Sequence, residues 1–171
     1  MSLLSTCTPS QMARSAFVEH FKDLYEHSPW VAEGVFDLGM SHALNEPGAL
    51  LSVFQQVMLS APKKQQLELI CAHPDLAGKA AIRGELTSAS TSEQASAGIS
   101  QCSAQEFSRF TQLNEAYKTK FGFPFIKAVK GSDRHQILEA FETRIDNHAA
   151  AEFAQALIEI NKIASFRMAQ M

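Results

Sequence analysis

No apolar stretch in this 171-residue chain approaches the ~18 residues that a bilayer-spanning helix needs, so a membrane span is not expected. Runs of like charge are also missing. Fifteen Lys and Arg stand against 18 Asp and Glu, for a formal charge of −3. Nucleic acid and anionic lipid both call for a basic face, so neither is expected as a partner. Cysteine is scarce: Cys7, Cys71 and Cys102 are odd in number and widely spaced, which implies neither a disulfide framework nor a CxxC site. A reduced, cytoplasmic protein is the expectation. The opening MSLLSTCTPSQMARS has neither the basic flank nor the long apolar core of a secretory signal, and the terminal MAQM is not a Ser-Lys-Leu address. The six histidines (His20, His27, His42, His73, His135 and His148) show no HExxH or His-x-His spacing, so a zinc site has no support. AGKAA lacks the spacing and the Ser/Thr of a P-loop, GxSxG does not occur, and no cysteine lies in a nucleophile motif.

What the chain does have is helical periodicity almost throughout. Its 46% hydrophobic and 19% charged residues are ordinary for a globular domain, and the length suffices for a real core. TPSQMARSAFVEHFKDLYEHS offers Thr8 as N-cap and Pro9 at the first helical position, with Met12, Ala16, Phe17, Phe21 and Leu24 on one face. Ser28–Pro29 repeats that start. ALLSVFQQVMLSAPKKQQLELICA reads as two helices broken near Ser60–Pro62. Ser103 and Glu106 have capping-box spacing before a helix that ends in Gly122. Two further helical stretches, SDRHQILEAFETRI and HAAAEFAQALIEINKIASFRMA, complete the set. No alternating β-branched run, internal repeat or low-complexity linker interrupts them. The expected fold is all-α, one compact domain over residues 1–171 with roughly eight helices.

Two stretches break the pattern. Residues 78–90 are small and polar and read as a loop. Residues 121–131, FGFPFIKAVKG, are aromatic around Pro124 with glycine near both ends. Such a segment buries its rings from an extended backbone whose N–H and C=O groups need partners, which suits it to lining a pocket.

Three polar residues stand out beside these breaks. His73 precedes Pro74, and a residue before proline is pushed out of the α region, so the helix that begins near Pro62 should end at Ala72. His73 is then either an end-of-helix residue on loose carbonyls or an imidazole placed for proton transfer, with Asp75 two positions on. Ser90 and Glu93 have S-x-x-E spacing, so Glu93 either closes a capping box or offers its carboxylate to a ligand within STSEQ. Arg167 follows Leu157, Ile160 and Ala164 on one stripe of the last helix; it either snorkels or reaches a buried carboxylate bidentately.

Taken in order, AHPDLAGKA, ELTSASTSEQASAGI, LNEAYKTKFGFPFIKAVKG and RHQILEAFETRIDNHAAAEFAQALIEINKIASFR resemble the OHCU decarboxylase family. OHCU is 2-oxo-4-hydroxy-4-carboxy-5-ureidoimidazoline, an unstable intermediate of urate breakdown. The likeness runs from Tyr25 onward, with small departures at Ile99 and Met168. It implies an all-helical homodimer that decarboxylates OHCU to (S)-allantoin with no metal or organic cofactor. Mapped by motif, it implies His73 as the catalytic histidine, with Glu93 beside it. Pro74, Ser90, Thr91, Ser92, Glu93, Gln94, Phe123, Pro124, Phe125, Ile126 and Arg167 are implied as substrate contacts. The competing reading, a non-enzymatic helical scaffold or ligand-binding module, explains the periodicity and caps as well, but not the three breaks together.

Overall fold

The computed structural model describes residues 4–78 and 83–171. Among the described residues there are eight α-helices and no strand. They are α1 (Arg14–Phe21), α2 (Trp30–Asp37), α3 (Pro47–Ser60), α4 (Lys63–Cys71), α5 (Ser88–Ser96), α6 (Ala104–Phe121), α7 (Arg134–Arg144) and α8 (Ala149–Met168). None of them is long and apolar enough to cross a membrane. The chain parts into two compact units, Met1–Ala72 with Asn161–Met171, and His73–Ile160.

The first unit is built on rings. Phe17, Phe21, Tyr25 and Phe54 are all but fully buried, and Phe54 lies parallel to both Phe17 and Tyr25 with centroids 6.1 and 6.3 Å away. The Tyr25 hydroxyl donates to Asn161 Oδ1 at 2.8 Å. Helix α1 is shorter than the pattern predicts. Pro9–Gln11 form a single 3₁₀ turn, Thr8 makes no side-chain cap, and Ala13 is extended before Arg14. The reason is long-range: Asn45 Oδ1 accepts from the Ser10 N–H and its amide donates to Ser10 Oγ, both at 2.9 Å, so the turn is held by another segment. Of the predicted stripe, Phe17, Phe21 and Leu24 are buried while Ala16 is exposed. Pro47 opens α3, with both oxygens of Glu46 accepting from the Gly48 and Ala49 N–H groups. The α3–α4 break falls at Ala61–Pro62 as expected, and α4 stops at Cys71 with Ala72 as its C-cap.

The second unit packs Tyr117, Phe123, Phe125 and Phe141 together. The Phe125 and Phe141 rings stack at 3.9 Å and 11°. Helix α6 has the predicted capping box, Ser103 with Glu106, and ends at Gly122 with φ +77°. A second capping box, Asp133 with Gln136, opens α7. Helix α5 begins at Ser88, so residues 88–90 of the expected loop are helical, while residues 79–82 of it lie outside the described residues.

Candidate active site

His73 opens the second unit and is 8% exposed. Proline at 74 bars it from α4, and the chain turns at once: the Gly78 N–H bonds to the Asp75 carbonyl at 3.3 Å. Ala77 sits at φ +52°, left-handed and uncommon for a residue with a side chain. Gly78 is needed there, because a Cβ would lie 2.6 Å from that of Asp75.

Helix α5 meets this turn. Gln94 Oε1 accepts from the Ala77 N–H at 3.1 Å, so HPDLAG and STSEQ are joined by a hydrogen bond. Ser90 and Gln94, one turn apart, are buried; Glu93 is half-buried, and Thr91 and Ser92 are exposed. The capping-box reading of Ser90 and Glu93 is corrected: the N-cap is Thr87, whose side chain accepts from the Ser90 N–H, and Glu93 stands in the second turn. The Thr91 hydroxyl donates back to the Thr87 carbonyl at 2.9 Å. A cavity of about 300 Å³ opens on the α5 side that carries Thr91, Gln94 and Ala95, against Leu86, Ile99 and Phe107.

The aromatic segment behaves as its composition predicts. Phe123, Pro124, Phe125 and Ile126 are all buried outside any helix. Phe125 faces the core, stacked on Phe141 with the Arg144 guanidinium 4.3 Å over its ring. Arg144 Nη1 donates to the Ile126 carbonyl at 2.6 Å, and Glu159 Oε2 accepts from the Ala128 N–H at 2.8 Å. Arg144 Nε in turn meets Glu152 Oε1 at 2.9 Å. Tyr117 donates to that same oxygen at 2.6 Å, and Asn147 donates to Oε2 at 3.1 Å. Burial first, and Glu152 next, push the Tyr117 hydroxyl far above its ordinary pKa, so it stays a donor.

Arg167 belongs to the first unit and is buried there. Its expected buried carboxylate is Glu26. Nη2 meets Glu26 Oε2 at 2.8 Å while Nη1 donates to the Asp23 carbonyl at 2.9 Å.

Sequence reasoning missed the supporting residues: Lys118, whose Nζ lies 2.7 Å from Asp75 Oδ2; Asn114, whose amide donates to the Leu76 carbonyl at 2.9 Å; and the Arg144–Glu152 pair. A signal for the last existed. Glu152 and Glu159, seven apart, share a face of α8 with buried Ala156 and Ile163, and a carboxylate on an apolar stripe calls for a partner. Among the described residues no three His, Cys, Asp or Glu side chains are grouped to hold a metal ion.

A family model described as OHCU decarboxylase matches residues 10–169. The chain belongs to the OHCU decarboxylase family. It is 40% identical over 155 residues to the 2-oxo-4-hydroxy-4-carboxy-5-ureidoimidazoline decarboxylase of Haloferax volcanii, covering 91% of this chain and 88% of that one. To the protein of the same name from Halalkalicoccus jeotgali it is 38% identical over 175 residues, covering 100% and 93%. A crystal structure of (S)-allantoin synthase superposes with a TM-score of 0.76 at 30% identity, over 95% of this chain and 51% of that one, so the chain spans about half of that structure. The family's helical fold is thus the one the periodicity indicates.

Proposed function

We propose that this protein decarboxylates OHCU to (S)-allantoin in urate breakdown, with residues 1–171 acting as one functional domain. The observation that carries the reading is the Gln94–Ala77 hydrogen bond, which sets the family's STSEQ helix against the turn that begins at buried His73. The chemistry asks for placement more than for reactivity. Decarboxylation commonly draws on a cofactor as electron sink, but OHCU carries its own in the ring C=N beside the carbon that loses CO2. The bond from C4 to the carboxylate breaks and its electron pair forms C4=C5 as the imine nitrogen takes a proton. A proton delivered to one face of C5, as the 4-hydroxyl becomes a carbonyl, then creates the (S) centre.

In this reading His73 moves the proton, work worth typically about 10²–10⁴-fold in rate. Glu93 accepts a hydrogen bond from the 4-hydroxyl or a ring N–H. Ser90 and the amide N–H₂ of Gln94 pair with ureido or ring oxygens, and Thr91 and Ser92 complete that wall. Pro74 and the Phe123–Ile126 backbone line the substrate, and the Ile126 carbonyl, which accepts from Arg144, keeps a second lone pair to offer. For Arg167 the resemblance implies a hold on an acceptor oxygen. A ring or ureido oxygen suits it better than the scissile carboxylate, because clamping that group stabilises the ground state. We also read the protein as a cytoplasmic homodimer acting on one small molecule, without nucleic acid, membrane or cofactor; its three free cysteines suit a reduced compartment.

The test is circular dichroism of allantoin formed from freshly generated OHCU, since OHCU also decays without enzyme, to a racemate. Wild type should give a rapid (S) signal, and His73→Asn should cut turnover by at least about 10²-fold while keeping the fold. A folded wild type giving no signal above background would end the decarboxylase reading.

A further inference from the structure

We infer that Lys118 and Asn114 are positioning residues for His73, acting through the turn that follows it; the inference rests on the decarboxylase reading above. Three consecutive residues of that turn are each held by a different side chain. Lys118 Nζ lies 2.7 Å from Asp75 Oδ2, Asn114 Nδ2 is 2.9 Å from the Leu76 carbonyl, and Gln94 Oε1 is 3.1 Å from the Ala77 nitrogen. Asn114 and Lys118 are one turn apart on α6, so a single helix face supports two of the three.

The turn needs holding. Ala77 is in the left-handed region and the Asp75–Gly78 approach admits no side chain, and such backbone persists only where its surroundings impose it. Asn114 shows the same priority from the other side. Its residue is 4% exposed, yet among the described residues its Oδ1 has no hydrogen-bond partner. The amide is committed to the Leu76 carbonyl and leaves its acceptor unpaired in doing so, a loss that calls for a compensating role. The Lys118–Asp75 pair, with side chains 37% and 26% exposed, belongs to the class that adds little to stability. The hydrogen bond to Asp75 is the first cause of a raised Lys118 pKa. A contact that does little for stability but fixes the residue two places from the proton donor matters through geometry, where displacement by about 1 Å can cost about 10²-fold in rate.

The experiment compares wild type, Asn114→Ala, Lys118→Met and the exchange Asp75→Lys with Lys118→Asp, which keeps the combined reach of the pair. Each is measured for kcat and KM by (S)-allantoin dichroism, for Tm, and for the His73 ring signals by NMR in the free protein. Lys118→Met and Asn114→Ala should lower kcat at least about tenfold with KM changed less than about twofold. Lys118→Met should leave Tm unchanged and shift the His73 ring signals, and the exchange should restore both kcat and the signals. Wild-type kcat and unshifted signals in Lys118→Met overturn the inference. So does a loss of kcat that tracks Tm and is not restored by the exchange. A wild type without stereospecific activity refutes the decarboxylase reading instead, and the NMR signals then still decide whether Lys118 sets the His73 ring.

Discussion

Replacing Glu152 with glutamine isolates what a buried charge does for the aromatic segment. Glu152 is 0% exposed and meets three donors, Tyr117 at 2.6 Å, Arg144 at 2.9 Å and Asn147 at 3.1 Å. Glutamine has nearly the same shape. Its carbonyl can keep facing Tyr117 and Arg144, and the Asn147 amide can turn to accept from the new N–H₂. Hydrogen-bond count is therefore almost preserved, and what is lost is the negative charge opposite Arg144, whose side chain is 11% exposed. Breaking a buried pair on one side costs about 3–5 kcal/mol. At roughly 2–4 °C per kcal/mol for a chain of this size, Tm should fall by about 6–20 °C. The effect reaches the candidate site, because Arg144 also holds the Ile126 carbonyl and covers the Phe125 ring. Urea unfolding followed by far-UV dichroism on Glu152→Gln, Arg144→Met and the double variant gives the cycle. The two changes should be coupled by at least about 1.5 kcal/mol, since the double variant leaves no lone charge inside. A loss below about 1 kcal/mol in Glu152→Gln, or simple additivity, would refute the reasoning.

Thr87→Ala should cost about 1 kcal/mol of stability, measured by urea unfolding, because Thr87 caps α5. Glu93→Gln, one turn inside the same helix, should lower kcat without that loss; a capping-type loss of stability at Glu93 would return it to a structural role. The Gly48 and Ala49 N–H groups hold the Glu46 carboxyl below its ordinary value of 4.5. A depressed carboxylate contributes stability above its unfolded pKa and loses it as pH falls through the folded one. The Tm gap between wild type and Glu46→Gln should therefore be present near about pH 7 and narrow as the pH falls below 4.5, checked by scanning calorimetry. A gap that persists in acid would mean the cap does not depend on charge.

The helices were legible where their own ends announce them. Pro62, Ser103 with Glu106, and Gly122 each satisfy or terminate backbone hydrogen bonds within a few residues, and local chemistry of that kind is written locally. At α5 two local patterns compete, Thr87 ahead of Ser90 and Ser90 ahead of Glu93, and spacing cannot choose the register. Tertiary contacts decided α1, where Asn45 holds Ser10 from 35 residues away. The candidate site divides in the same way. His73 and the Phe123–Ile126 run are visible because they break a helical pattern, and Glu93 and Gln94 because they stand in the polar STSEQ stretch that opens a helix. Lys118, Asn114 and the Glu26 partner of Arg167 sit inside regular helices or far along the chain, 43, 38 and 141 residues from the groups they hold, and nothing local marks them.

This division has a physical origin. A helix bonds its own backbone, but the turn 73–78 closes on itself at Gly78 and Asp75 and leaves other groups, as the segment 123–129 does, to side chains from neighbouring helices. Gln94, Asn114 and Lys118 serve the turn; Arg144 and Glu159 serve the segment, and Gln155 steadies Glu159 at 3.0 Å. The two sets differ in burial, and that sets their expected phenotypes apart. Glu159 is buried and Arg144, 11% exposed, is paired with buried Glu152, so removing either strands a partner in the interior and should be felt first as stability. Lys118 reaches a half-exposed carboxylate, so solvent replaces it at little cost to folding, and its removal should be felt first as rate. A substrate that carries its own electron sink leaves the protein mainly the task of placement. Gln94, Asn114, Arg144 and Glu159 accordingly hold backbone, and with it the shape of the site.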